Sequence, residues 1–440
     1  DWYGAYSAQE EEDPVGMESG IARVVRGGGF YGNGAFPIWP KGLSYARPTN
    51  RGGYAPNFKH PNGNVNRFGR HPIGFRIVQG EWPECKPKAT RPSYVQEGVK
   101  REAPLIDRGP EPETPYFRKR YMLPTPPENR HPDVIAACGF HPAIYGHNHS
   151  PGLAVCDNGD IFAAFFSAYH ERTPGVGIIA TRLRYGADEW DMPSPLIDFP
   201  DVNDHAPLLW NDAGKLYLFW GHPKLDYVYP FQWIESEDHG ATWSDVKFPY
   251  FPEKARGGAR QPINSAFRDK DGAIYVASDM SGPTSVLYKS EDDGKTWIDP
   301  GGSTKGRHTS FVLLNDGKTL LGMGGKGAHI DGYMPKSVSR DGGQTWEYGK
   351  TPFNKMDSRQ RPAVIRLQSG RLLMAGDFEN KTFIQPPGVS GKGSFVALSE
   401  DEGETWRIKK LPGAQLYEGK GREMYTLGYT VMQQAKNGVI

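Results

Sequence analysis

Six short segments of this 440-residue chain carry residue types that hold anions or move protons near neutral pH. They are His147-Asn148-His149-Ser150-Pro151, Asp204-His205-Ala206-Pro207, Arg260-Gln261-Pro262, Arg307-His308-Thr309-Ser310, Ser358-Arg359-Gln360-Arg361-Pro362 and Gly428-Tyr429-Thr430. Arginine supplies a permanent planar cation, histidine a proton donor or acceptor, and tyrosine a phenol that serves as acid, base or nucleophile. Polar residues at strand starts are often only turn caps, which accounts for some of these positions taken singly. It does not account for all six. Four arginines (Arg260, Arg307, Arg359, Arg361) and four histidines (His147, His149, His205, His308), gathered in a chain of net charge +1, predict a local positive potential and an anionic ligand.

What gathers them is a repeat. Each segment precedes an apolar run, a Gly turn and a second apolar run, with the turns at Gly159, Gly214, Gly272, Gly317, Gly370 and Gly438. Each unit reads as a β-hairpin. A second repeat, Ser-x-Asp-x-Gly-x-x-Trp, occurs at Ser236–Trp243, Ser290–Trp297, Ser339–Trp346 and Ser399–Trp406, spaced by 54, 49 and 60 residues, with a degenerate copy near Trp190. Its Asp accepts backbone N–H groups, its Gly takes a positive φ and its Trp packs beneath the turn, so each copy is expected to end one strand and begin the next. Modules of this length are the signature of a β-propeller. Six first hairpins predict an all-β, six-bladed propeller whose last blade is incomplete, because the sixth hairpin stops at Asn437-Gly438-Val439-Ile440. Tyr116–Tyr121 and Asp133–Ala137 are candidates to supply a closing strand.

These Asp-box repeats resemble those of the sialidase superfamily from about residue 116 to residue 440. The resemblance implies a Tyr nucleophile at the start of the last blade, which Tyr429 in Gly-Tyr-Thr matches. A phenol approaches an anionic sugar without the repulsion that a carboxylate meets. It also implies arginines holding a carboxylate, with Arg260, Arg359 and Arg361 as positional matches, and an acid/base carboxyl, with Asp204 or Glu171 available. Two positions depart from the family. His147-Asn148-His149-Ser150-Pro151 replaces the Arg-Ile-Pro element, and His308 stands where bacterial sialidases place the activating Glu.

The expected catalytic set is therefore Tyr429, His149, His205, Asp204 and His308. The expected substrate-binding set is Arg260, Arg307, Arg359, Arg361, His147 and Glu171. Hydrolysis of an anionic or plant, algal or host glycan by an exo-acting enzyme is the first reading. β-Elimination from a uronic acid is the second, since Arg, His and Tyr can neutralise the carboxylate, take the C5 proton and protonate the leaving oxygen. A non-catalytic glycan-binding propeller is the third. His147 and His149 point the same way on a strand, but no third ligand is placed, so no metal is expected, nor any cofactor.

Residues 1–79 have another texture. Asp1-Trp2-Tyr3-Gly4-Ala5-Tyr6, Asp13-Pro14-Val15-Gly16, Arg23–Phe30 and Ile73–Val78 resemble the last third of a formylglycine-generating, sulfatase-modifying-factor domain. The cysteine pair that oxidase members carry is absent between residues 30 and 73, which predicts a small, irregular α+β fragment without that chemistry. Residues 80–115, rich in proline, read as a semi-extended linker. Near-zero net charge gives no pull toward nucleic acid. Cys85, Cys138 and Cys156 show no zinc spacing. No stretch approaches a membrane span and no signal peptide is visible, so any export signal for the expected extracellular or periplasmic location lies upstream of Asp1.

Overall fold

The four Asp-box turns close in one way. Ser236 Oγ donates to Asp238 Oδ1 at 2.9 Å and accepts the Gly240 N–H at 2.8 Å. Asp238 then accepts from the N–H and the hydroxyl of Thr242, at 2.8 and 2.7 Å. Thr296, Thr345 and Thr405 repeat both bonds to Asp292, Asp341 and Asp401. The residue before each Trp is thus a fixed part of the turn, although the spacing alone had left it variable. Gly240 and its counterparts Gly294, Gly343 and Gly403 lie at φ of 80°, 84°, 92° and 86°, the left-handed region that glycine enters at least cost.

The structure, a computed structural model, describes residues 23–26, 51–54, 98–102, 116–118, 120, 122, 144, 147–168, 171, 176–198, 203–221, 230–253, 255–256, 258–280, 282–356, 361–378, 393–411 and 428–440. Every regular element among these is a β-strand. β1 (Arg23–Arg26) and β2 (Arg51–Tyr54) form an antiparallel pair. Five larger sheets follow, each an antiparallel meander in chain order. The first holds β3 (His147–Val155), β4 (Ile161–Ala168), β5 (Gly177–Leu183) and β6 (Ser194–Ile197), and the second β7 (His205–Asp212), β8 (Lys215–Gly221) and β9 (Gln232–Ser236). The third holds β10 (Gly258–Arg268), β11 (Ile274–Met280) and β12 (Ser285–Ser290), and the fourth β13 (Ser310–Leu313), β14 (Leu320–Met323), β15 (Tyr333–Ser339) and β16 (Glu347–Asn354). The fifth holds β17 (Ala363–Arg366), β18 (Leu372–Phe378), β19 (Gly393–Ser399) and β20 (Arg407–Lys410).

Apolar residues on both faces of each sheet bury against the next sheet, so the cores lie between sheets. Phe162, Ile178 and Ala180 of the first sheet meet Leu216, Leu218 and Trp220 of the second. Phe219 and Trp233 meet Val276 and Tyr288 of the third, Tyr275 and Leu287 meet Phe311 and Leu320 of the fourth, and Met323 and Met334 meet Met374 and Phe395 of the fifth. The first strands β3, β7, β10, β13 and β17 line an axial cavity of about 530 Å³ together with Val431, Met432 and Gln433. This is a β-propeller arrangement, with the first strand of each sheet innermost.

Among the described residues five blades form, not the expected six. Residues 428–440 bridge Arg361 to Tyr429 in parallel and turn at Gly438, where the Gly438 N–H bonds to Ala435 O at 2.9 Å. They join none of the sheets among the described residues. The segment instead lies between the fifth and first sheets. Gln434 Oε1 accepts the Gln368 N–H at 2.7 Å, and Lys436 reaches Asp157 at 3.5 Å. The proposed closing strand at Tyr116–Tyr121 does not form among its described residues, and Tyr116 and Phe117 are exposed. Asp133–Ala137 and all but β1 and β2 of the 1–79 fragment lie outside the described residues.

Part of the proline-rich 80–115 segment docks on the first two blades. The carbonyls of Gly98, Lys100 and Arg101 meet Arg184 Nη1 at 2.6 Å, Asn158 Nδ2 at 2.7 Å and His239 Nε2 at 3.0 Å. Cys156 is buried and unbridged, and burial pushes its thiol up to about 12. No helix among the described residues is long and apolar enough to cross a membrane.

Trp297 is 2% exposed, whereas Trp346 is only half-buried. Trp297→Ala is therefore expected to lose about 3–5 kcal/mol in urea unfolding, and Trp346→Ala less than half as much. Equal losses would contradict this packing.

Candidate active site at the axial mouth

The inner strands begin with irregular backbone. The β3–β4 register breaks between His149 and Gly152, and the β7–β8 register between His205 and Leu208. Ser150, Ala206 and His308 occupy left-handed φ of 53°, 51° and 56°. For non-glycine residues this costs of order 1–3 kcal/mol each, and such bulges re-aim neighbouring side chains. Here they bring His149, His205 and His308 to one end of the axis, where Tyr429 also lies.

Asp279, fully buried at the end of β11, organises one half of the site. Its Oδ1 accepts the His308 backbone N–H at 2.8 Å and the Ser285 hydroxyl at 3.0 Å. Its Oδ2 accepts Arg307 Nε at 3.1 Å and lies 2.6 Å from His308 Nδ1, an approach angled away from the ring N–H direction. Burial by itself would raise this carboxyl, but His308 and Arg307 overcome it and hold the group at about 2. On the far side of the ring, His308 Nε2 is 3.3 Å from the Tyr429 hydroxyl. Asp279 and Tyr429 thus lie on opposite sides of the His308 ring.

Lys326 joins this group through glycines. Gly306 and Gly325 approach so closely that a Cβ on Gly306 would sit 1.9 Å from Gly325 Cα. That contact lets Arg307 and Lys326 exchange two backbone hydrogen bonds of 2.9 Å. Lys326 Nζ then stands 3.2 Å from both the Tyr429 hydroxyl and His308 Nε2. Arg361 lies beneath the phenol, its guanidinium carbon 5.3 Å from the ring centroid and its Nη2 donating to Pro151 O at 2.8 Å.

The other half is imidazole. The His149 ring stands edge-on to Tyr429 at 4.0 Å and 5.3 Å from His147, and His205 stacks on Phe166 at 4.3 Å. Burial, together with His147, His205, Arg361 and Lys326, lowers His149 to about 3, so it is neutral at pH 7. Burial also lowers His308, although Asp279 opposes the shift. Tyr429 is pushed up to about 12 by burial, with Arg361 opposing. Burial brings Arg361 down to about 10, which leaves it charged at neutral pH.

A family model described as a BNR repeat-like domain matches residues 159–440, the greater part of the chain and all the blades after the first strand. The chain belongs to this family. No curated protein sequence matches it. Solved structures similar to it include a protein of unknown function from Dyadobacter fermentans, at 17% identity and TM-score 0.46 over 60% of this chain and 83% of that one. A mutant NanB sialidase from Streptococcus pneumoniae is similar at 13% identity and TM-score 0.44 over 60% and 62% of the two chains, so the match spans less than two thirds of NanB. An intramolecular trans-sialidase from Ruminococcus gnavus in complex with oseltamivir carboxylate shows 13% identity and TM-score 0.44 over 61% and 86%.

This BNR-repeat propeller gathers most of the residues singled out by sequence. Tyr429, His308, His149, His147 and His205 share the mouth. Arg361 was a candidate carboxylate clamp, but at 1% exposure beneath Tyr429 it faces the phenol and a carbonyl, not the opening. Asp204 is fully buried and accepts Trp220 Nε1 at 2.9 Å, so as an acid/base it has no access to a ligand. Glu171 is the accessible carboxyl, 43% exposed and 4.0 Å from His205 Nε2. Arg307 is 30% exposed and pairs with Asp279 and with Gln261 Oε1 at 2.9 Å. Arg359 lies outside the described residues, and Arg260 is described only as backbone of β10.

Asp279 and Lys326 were missed. Their nearest sequence signal is the Gly324-Gly325 pair, which marks close backbone approach without naming its partner. Among the described residues no cluster of three or more His, Cys, Asp or Glu side chains could hold a metal.

The titrations give a pH prediction. His149 and His308 resist protonation when folded but take protons below about 6.5 when unfolded, so stability falls as pH drops from 6.5 toward 3. Asp279, depressed when folded, contributes stability above its ordinary carboxyl range that is lost as pH falls toward 2. The urea midpoint is expected to hold from pH 8 to about 7 and then decline, with a shallower decline in His149→Phe. An unchanged slope in that variant would remove His149 from the account.

Proposed function

We propose that the chain is an exo-acting glycoside hydrolase of anionic glycans, with Tyr429 as nucleophile. One observation supports this above the others: the Tyr429 oxygen stands 3.2 Å from the Lys326 ammonium and 3.3 Å from a histidine nitrogen, at the axial mouth where the inner strands converge. Lys326 and Arg307 supply positive charge for an acidic sugar, and a neutral phenol meets that sugar without like-charge repulsion. Tyr429 attacks the anomeric carbon as the bond to the leaving oxygen breaks. Glu171 protonates that oxygen, then draws a proton from the water that releases the sugar from Tyr429.

The proton of Tyr429 leaves during attack, not before it. The phenol is at about 12 and the imidazole of His308 below its ordinary 6.5, so prior transfer would cost upward of about 7 kcal/mol at ~1.4 kcal/mol per unit. Lys326 faces the oxygen where negative charge develops, the arrangement that stabilises a transition state most when already in place. A polymeric extracellular glycan as substrate would place the enzyme outside the cytoplasm.

A second reading is β-elimination from a uronate, favoured by the neutral imidazole of His149 against Tyr429. In that case Lys326 neutralises the carboxylate, and the imidazole and the phenol share the C5 proton and the leaving oxygen. One assay separates the two on a panel of acidic glycans, following reducing-end release and ultraviolet absorbance of unsaturated uronate. The hydrolase reading expects release without absorbance, and a loss of roughly 10³-fold or more in Tyr429→Phe. Absorbance would replace it with the lyase reading, and release undiminished in Tyr429→Phe would remove Tyr429 as nucleophile.

A further inference from the structure

We infer that Asp279, His308 and Tyr429 act as a proton relay in which His308 is the general base for the Tyr429 hydroxyl and Asp279 is the positioning residue that fixes its tautomer. The inference rests on the hydrolase reading and adds to it the identity of the base. It begins from a difference in residue type: an imidazole, not a carboxylate, faces the phenol.

An imidazole can accept a proton at Nε2 only while Nδ1 carries one, so something must hold the Nδ1–H tautomer. Asp279 Oδ2 lies 2.6 Å from Nδ1 but off the ring N–H direction, so it is the charge of the carboxylate, not an aligned hydrogen bond, that favours the proton on Nδ1. Asp279 is itself immobilised by the His308 backbone N–H, the Ser285 hydroxyl and Arg307 Nε, all within 3.1 Å, and cannot swing away. A left-handed backbone at His308, φ 56°, sends its main-chain N–H and its ring to the same carboxylate. His308 is 5% exposed, so water does not compete for Nδ1.

The step balances. As the Tyr429 oxygen bonds to the anomeric carbon, its proton passes to His308 Nε2, and the imidazolium formed lies against the Asp279 carboxylate, which stays ionised. When water displaces the sugar from Tyr429, the phenolate takes the same proton back. Charged groups facing His308 are Asp279, Lys326, Arg361 and, through Asp279, Arg307. Among the described residues Lys326 and Arg361 disfavour a resting imidazolium, while Asp279 favours it. Proton acceptance is thereby confined to the moment when phenolate charge develops beside Lys326. The Tyr429–His308 separation of 3.3 Å is long for a hydrogen bond, as is common before substrate is bound.

The test has two arms. In the first, the whole chain is labelled with ¹⁵N-histidine and the His308 tautomer is read by NMR at neutral pH without substrate. The resonances are assigned by their loss in His308→Asn, a residue that tolerates the left-handed backbone. The relay expects the proton on Nδ1 in the wild type and its transfer to Nε2 in Asp279→Asn. In the second arm, Asp279→Asn is expected to lose on the order of 10³- to 10⁴-fold in kcat with KM changed less than about threefold.

A wild-type proton on Nε2, or an Asp279→Asn enzyme within tenfold of wild-type kcat, overturns the relay. Should Asp279→Asn not fold, the wild-type tautomer still decides. Failure of the hydrolase reading shows separately, in undiminished release by Tyr429→Phe, because the tautomer is measured with no reaction taking place.

Discussion

A carboxylate with no solvent exposure, Asp279, sits at the axial mouth of the propeller. Taking Asp279 out of water costs several kcal/mol unless charge and hydrogen bonds compensate. The compensation comes from residues that also form the mouth: Arg307, His308 by both backbone and ring, and Ser285. The third and fourth blades therefore cannot shift at this end without stranding a charge. Because the same imidazole reaches Tyr429, the compensation of Asp279 sets the geometry around the phenol.

The rest of the propeller divides labour between two kinds of turn. Asp-box turns satisfy their own polar groups locally, Ser to Gly and Asp to Thr, and their Trp residues pack between sheets. The inner-strand starts do the reverse: Ser150, Ala206 and His308 are left-handed, and His308 is held by Asp279 of the preceding blade. Strain is concentrated where His149, His205 and His308 are presented, and the scaffold around it is regular. Arg361 ties the two together, since its backbone bridges the 428–430 segment while its side chain anchors on Pro151 of the first blade and lies under Tyr429.

Much of this was legible in the chain. Periodic hairpins and Asp-boxes fixed an all-β propeller and its inner-strand starts, because both signals depend only on residues close in sequence. The prominence of Tyr429, His149 and His308 followed, since a repeat places equivalent positions at one end of the axis. Blade number was less legible: the sixth hairpin motif at 428–440 resembles the others, but a motif cannot show whether partner strands are present. The burial of Arg361 and Asp204 was not legible for a related reason, as proximity to the mouth says nothing about it.

By itself, then, the sequence determined the fold class, the repeat, the polar mouth and its phenol, all of which rest on local hydrogen bonding and alternating burial. Only the tertiary structure decided which charges meet. Asp279 at the end of β11 and Lys326 after a glycine pair lie 29 and 103 residues from His308 and Tyr429, respectively, and no local rule connects them. Their partners are set by how adjacent blades pack, and a buried charge acquires its role only from what lies beside it.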